Sequence, residues 1–213
     1  DLIKQVVFCI PSLESIKAAK IKSKIINLGL IFKDYLNKSG DKNDLSYIIQ
    51  NISDHSQNIN ENINDEIKSY FNNKIVLVTG AGGSIGKEIC YKISKLNIKK
   101  LIAIDIDEYR LSKINRELIN HNPNLSQKYE NFLLDVNNKE ILSNIFKENK
   151  PDIVYHASAS KHVDLVENNW FYGSINNIQS TYNVCECSVM AKVKKVIFIS
   201  TDKAVEPINF SGI

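Results

Sequence analysis

No apolar stretch in these 213 residues approaches the roughly 18 to 20 residues needed to cross a bilayer. The opening residues also lack the pattern of a signal peptide. Charge of one sign is missing too. The formal net charge is only +3, and lysines such as Lys92, Lys95, Lys99 and Lys100 sit among carboxylates instead of forming a basic stripe. A nucleic-acid partner is therefore not expected. Cys9, Cys90, Cys185 and Cys187 form no CxxC pair and have no histidine at metal-ligand spacing, so they read as plain buried thiols with no metal. Cys185 and Cys187 are two apart on a helix, share no face and make no redox pair. These absences suit a chain in the reducing cytoplasm. What is present, 43% hydrophobic and 24% charged residues, is the composition of a globular domain with a core.

Three regions differ in texture. In residues 1–38, "IKQVVFCIPS" and "LIFKDYL" read as short strands, with a helix between them carrying Ile16, Ala19, Ile21, Ile25 and Leu28 at helical spacing and Gly29 as a stop. This stretch is expected to be the C-terminal part of an upstream Rossmann-like α/β domain. Residues 39–73, polar and rich in Asn and Asp, are expected to form a linker with one or two short helices that packs on the next domain.

Regular alternation begins at residue 74. "KIVLVTG" is a continuous apolar run of strand length, as a strand buried on both faces of a parallel sheet requires. "SIGKEICYKISKLN" has helical spacing, "KKLIAIDI" is a second strand and "EYRLSKINRELINH" a second helix. "YENFLLDV", "KEILSNIFKEN", "DIVYHAS", a long helical region and "KKVIFIST" continue the pattern. Strands alternating with helices imply right-handed crossovers and a doubly wound α/β sheet. The expected strand order is 3-2-1-4-5, a Rossmann domain over residues 74–213 lacking its C-terminal strands.

The first of these strands runs into "TGAGGSIGKE". Gly80, Gly83 and Gly86, with Ser84 and Ile85, fall between strand and helix, where glycines permit a tight turn, close approach of a pyrophosphate and close helix–strand packing. The helix N-terminus then faces the phosphates. Asp105 ends the second strand about 20 residues past the loop, where a ribose diol donates hydrogen bonds to a carboxylate. An acid there repels a 2′-phosphate, and the nearest arginine, Arg110, is one helical turn on; NAD is expected over NADP. Asp135, followed by Val136, ends the third strand and meets the adenine amino group or caps the next helix. Ala157, Ser158 and Ala159 follow the fourth strand, where small side chains let a dinucleotide lie across the sheet. Trp170, Phe171 and Tyr172 read as helix packing instead of a base-stacking platform.

The GxxGxxG spacing resembles that of the extended short-chain dehydrogenase/reductases. With "DIDEYRL", "PDIVYHASASKHVDLVE", "NNIQSTYNV" and "KKVIFISTDKAVEPIN", the chain from Lys74 to Asn209 resembles the polysaccharide-biosynthesis nucleotide-sugar 4,6-dehydratases, which act on UDP-N-acetylglucosamine. The resemblance implies oxidation of the sugar at C4 with NAD, elimination of water across C5 and C6, and return of hydride to C6. It assigns Lys203 as the C5 base, Asp202 as the acid for the C6 hydroxyl and Thr201 as a contact to the C4 hydroxyl. Lys161 and His162 are placed near cofactor or sugar phosphate, and Asn177 in the long helix as a substrate-side or supporting residue. A homo-oligomer is expected. Larger members carry an upstream Rossmann-like domain and membrane helices, so a membrane anchor at the cytoplasmic face is expected of a longer parent protein.

The sequence departs from the family at Ser211, where Tyr or Met is usual, and lacks the lysine that binds the nicotinamide ribose. The chain is thus expected to be a piece truncated at both ends and inactive alone. Two other readings stay open: a nucleotide-sugar 4-epimerase, which does not need the Asp202–Lys203 pair, and a non-catalytic dinucleotide-binding module, for which Ser211 argues.

Overall fold

The computed structural model describes residues 5–8, 31–34, 65–160 and 168–200. Strands β1 (Gln5–Phe8) and β2 (Ile31–Asp34) fall where expected and pair in parallel, with Gln5 opposite Ile31 and Phe8 opposite Asp34. The helix expected between them, and most of the polar linker, lie outside the described residues. In the linker's last part α1 (Asp65–Phe71) is described, and Phe71 is wholly buried in the core that follows.

Beyond it the order is β3 (Ile75–Thr79), α2 (Ser84–Ser94), β4 (Lys100–Asp105), α3 (Glu108–His121), a 3-10 turn (Pro123–Gln127), β5 (Tyr129–Leu133), α4 (Lys139–Asn149), β6 (Ile153–His156), α5 (Trp170–Met190) and β7 (Lys195–Phe198). The five strands from β3 to β7 form one parallel sheet in the order β5-β4-β3-β6-β7. Counted from Ile75, that is the 3-2-1-4-5 order expected.

The apolar runs explain the layering. Along β3, Val76 and Val78 point into one cluster with Ile89 and Ile93 of α2 and Leu111, Ile114 and Leu118 of α3. Leu77, between them, points into a second cluster with Leu142, Ile145 and Phe146 of α4 and Val184 and Cys187 of α5. A strand covered on both faces has no place for alternating polar residues. Each large aliphatic side chain so buried contributes about 1.5–3 kcal/mol relative to exposure. The entries of α3 and α4 are capped locally: Asp107 Oδ1 accepts from the Arg110 N–H at 2.9 Å, and Asn138 Oδ1 from the Ile141 N–H at 3.3 Å.

After β3 the chain winds outward through β4 to β5, then crosses to β6 on the other side of β3. Strand order therefore reverses between β3 and β6, and the crevice at the carboxyl ends of these two strands is where doubly wound sheets bind ligands. Among the described residues no helix is long and apolar enough to cross a membrane. One expectation fails: Phe171 and Tyr172 are 64% and 63% exposed. They project from the first turn of α5, ahead of the point where Val184 and Cys187 meet the sheet.

Candidate functional site

The loop from β3 to α2 lies at the reversal point. Gly80 has φ +64°, a left-handed conformation that side chains disfavour. A Cβ there would also lie 2.6 Å from the Ala157 carbonyl oxygen, so the turn presses against the loop after β6. At Gly86 a Cβ would overlap the Gly80 carbonyl oxygen, which fixes how closely α2 approaches the turn. Gly83, the N-cap of α2, is the most permissive of the three, with Gly80 O at 3.2 Å from a built Cβ. No side chain caps α2 and no acid stands in its first turn. The Ile85 and Gly86 N–H groups have no intrahelical carbonyl one turn back, so this end of the helix dipole suits an anion.

Asp105, at the end of β4, is 8% exposed and its carboxylate is fixed on both oxygens. Oδ2 accepts from the Gly82 N–H at 2.7 Å and Oδ1 from the Asp107 N–H at 2.9 Å. Gly82 is a site residue that the glycine spacing did not single out. Its reason is tertiary: a Cβ there would sit 2.6 Å from the Cβ of Arg110 on α3. Arg110 in turn pairs with Asp107, Nε to Oδ2 at 3.1 Å.

Beyond β5, Asp135 does not cap α4; Asn138 does. Asp135 instead closes a local turn, Oδ1 accepting from the Asn137 N–H at 2.9 Å. Val136 is 6% exposed, and its carbonyl and that of Asn137 both accept from Asn183 Nδ2 of α5, at 3.1 and 3.2 Å.

The loop 157–160 after β6 is tied from two sides. The Ala157 N–H donates to Thr79 O at 3.1 Å. Asn177 of α5 holds Ser160 by its backbone, Oδ1 accepting from the Ser160 N–H at 2.7 Å and Nδ2 donating to Ser160 O at 3.2 Å. Asn177 is therefore a brace for the loop carrying Ala157, Ser158 and Ala159. Lys161, His162, Thr201, Asp202, Lys203 and Ser211 lie outside the described residues.

The sequence reading does not single out His156, although a histidine closing an otherwise apolar strand is a visible signal; the sheet then pairs it in register with Thr79. Its Nδ1 lies 2.7 Å from Thr79 Oγ1 and its Nε2 3.2 Å from Thr181 Oγ1. Thr181 spends its hydroxyl proton on the Asn177 carbonyl at 2.7 Å. Nε2–H must then donate to Thr181, leaving Nδ1 to accept from Thr79. Burial pushes the pKa of His156 down to about 4, so the ring is neutral and engaged on both nitrogens, and it is not a free general base. Burial first, and the Asp105 carboxylate second, push the Cys90 thiol up, so it stays protonated. Among the described residues no cluster suits a metal ion.

A glycine-rich turn whose one methyl, that of Ala81, is buried in the core, an uncapped helix N-terminus and a fixed carboxylate at the next strand can together hold a diphosphate and a ribose diol. These residues fit a dinucleotide.

Comparison with known proteins shows the family. The chain is 43% identical over 146 residues to the capsular polysaccharide biosynthesis protein CapD of Staphylococcus aureus, a match covering 66% of the chain and 23% of that protein. It is 37% identical over 144 residues to a UDP-N-acetylglucosamine 4,6-dehydratase (inverting) of Campylobacter jejuni, covering 67% of the chain and 40% of that protein. The chain thus spans well under half the length of these relatives. Among solved structures, Pen from Bacillus thuringiensis superposes with a TM-score of 0.62 at 31% identity, covering 67% of this chain and 43% of that one. Residues 76–213 match the family described as polysaccharide biosynthesis protein, and the chain belongs to that family.

Proposed function

We propose that the protein carrying this chain is an NAD-dependent nucleotide-sugar 4,6-dehydratase acting on UDP-N-acetylglucosamine. The observation that carries this reading is the Asp105 carboxylate locked against the glycine turn by the Gly82 N–H, in a chain 37% identical to a dehydratase of that name. NAD over NADP is supported by charge. A 2′-phosphate would meet the nearly buried Asp105 carboxylate, and the nearby Arg110 is already paired with Asp107.

When bound, the nicotinamide supplies the hydride acceptor for C4 oxidation and the hydride donor at C6. The chain's own residues do the proton work. Residues 201–203 follow Ser200, just past β7 in the sequence. There Thr201 would hold the C4 hydroxyl, Lys203 would take the C5 proton and Asp202 would protonate the departing C6 hydroxyl. Lys203 acts as a base only if its pKa is lowered, and Asp202 as an acid only if its own is raised. As adjacent opposite charges they oppose both shifts, so substrate and apolar surroundings have to separate them.

The homo-oligomer belongs to this proposal, with α5 as its contact. Phe171, Ile178, Tyr182 and Val189 are all exposed. At about 100° per residue they fall within about 40° of one another, on one stripe of the helix.

The test is incubation of the full-length protein with NAD and UDP-N-acetylglucosamine. A 4-keto-6-deoxy product supports the proposal; a C4 epimer would assign a 4-epimerase, and dinucleotide binding without turnover a non-catalytic module. Lys203→Ala should abolish dehydration while NAD still binds, and retained turnover would remove Lys203 from the mechanism.

A further inference from the structure

Helix α5 reaches the site at two places that belong to opposite halves of a dinucleotide. With the ribose at Asp105 on β4, the attached base lies farther out, over the loop after β5, and the second nucleoside lies over the loop after β6. Asn183 holds the first loop through the carbonyls of Val136 and Asn137. Asn177 holds the second through the Ser160 backbone. Between them Asn176 spans the gap: its Oδ1 accepts from Asn137 Nδ2 at 3.0 Å and its Nδ2 donates to Ser160 Oγ at 2.9 Å.

This side-chain bridge joins two loops that the sheet keeps apart, because β4 and β3 lie between β5 and β6. We propose that Asn176 is a positioning residue that couples the adenine-side loop to the loop after β6, so that the whole dinucleotide meets two loops already in register. The inference rests on the dinucleotide reading above.

The bridge acts on binding by removing an ordering cost. Without it each loop keeps its own brace, Asn183 or Asn177, and remains formed. What is lost is their relative placement, which matters only to a ligand touching both. ADP-ribose has the adenosine, the diphosphate and the second ribose but no nicotinamide, so it samples the first loop fully and the second through one sugar. Intact NAD samples both.

The experiment measures NAD and ADP-ribose binding by calorimetry to the full-length protein and to its Asn176→Leu, Asn137→Ala and doubly substituted forms. Leucine matches asparagine in shape and removes both bonds; alanine at 137 removes the other end of the same bridge. Two hydrogen bonds of ordinary net strength correspond to roughly a tenfold effect. NAD should weaken about tenfold in each single variant, with ADP-ribose changed less than about twofold. The double variant should fall within about threefold of either single one, where independent effects would multiply to about a hundredfold. Retained ADP-ribose binding certifies the fold, and if Asn176→Leu loses it, Asn137→Ala decides.

Equal loss of NAD and ADP-ribose in Asn137→Ala, an unchanged NAD affinity in either single variant, or multiplicative losses in the double variant would each overturn the proposal. If the unsubstituted protein binds neither dinucleotide nor ADP-ribose, the functional reading itself has failed.

Discussion

Gly82 and Asp105 face each other across the β3 and β4 ends, the Gly82 N–H donating to Asp105 Oδ2 at 2.7 Å. The phosphate-side turn and the ribose-side carboxylate are therefore one unit. Replacing Asp105 by Asn keeps the shape, removes the charge that strengthens both this bond and any bond from a ribose hydroxyl, and turns one of the two accepting oxygens into an NH2 facing a backbone N–H. Charge-assisted hydrogen bonds are worth about 1.5–3 kcal/mol, so NAD affinity of the full-length protein should fall about 10- to 100-fold. NADP affinity should fall much less or rise, because the repulsion of its phosphate is relieved. Titration of both nucleotides checks this, and a parallel loss for the two would remove Asp105 as the discriminating group.

The glycines of the turn are not equivalent. Gly86→Ala forces its new methyl into the Gly80 carbonyl, a backbone atom with no rotamer to yield, whereas Gly83→Ala meets the same oxygen at 3.2 Å. Overpacking against backbone should cost about 3 kcal/mol at Gly86. At the N-cap, exchanging Gly for Ala should cost under about 1 kcal/mol. Chemical unfolding of the two variants should separate them by that margin, and similar stabilities would mean that α2 can shift away from the turn.

What the sequence disclosed follows from the range of the interactions involved. The β3–α2 and β4–α3 units were readable because "KIVLVTG" and "KKLIAIDI" are unbroken apolar runs closed by Gly80 and Asp105, and all the signals are local. Gly82 escaped because its constraint is Arg110, in another helix. Asn176 and Asn183 escaped because their partners, Asn137, Val136 and Ser160, are brought near only by the crossover that lays α5 beside the sheet. Asp135 looked like a cap because Asp often is one; Asn138, closer to the first turn of α4, won the position. The same crossover leaves Phe171 and Tyr172 outside the core, which no helical periodicity of their own could reveal.

The exposed stripe of α5 yields a third expectation. An apolar face of Phe171, Ile178, Tyr182 and Val189 on a helix that already buries Val184 and Cys187 on its opposite side suits self-association. Tyr182→Lys places a charge at its middle while leaving the core-facing side untouched. Sedimentation of the full-length protein should show a smaller species for this variant; an unchanged sedimentation coefficient would move the contact off α5.

His156 makes a pH prediction whose sign is fixed by burial. Its pKa falls from 6.5 to about 4, so the unfolded chain takes up the proton more readily than the folded one. The stability associated with the neutral ring is fully present above about pH 6.5 and is lost as pH falls from there towards 4. Between pH 7 and pH 5 this single group accounts for a loss of about 2 kcal/mol. It acts where Thr79 and Thr181 meet the ring, so β3 and β6 should register it first. Hydrogen exchange of their amides in the full-length protein, corrected for intrinsic rates, should show protection falling more steeply with acid than in His156→Gln. That variant will be weaker at pH 7, having lost two buried hydrogen bonds, yet flatter below it. If both proteins lose protection with the same slope, folding does not depress the pKa of His156 and burial does not hold the ring neutral.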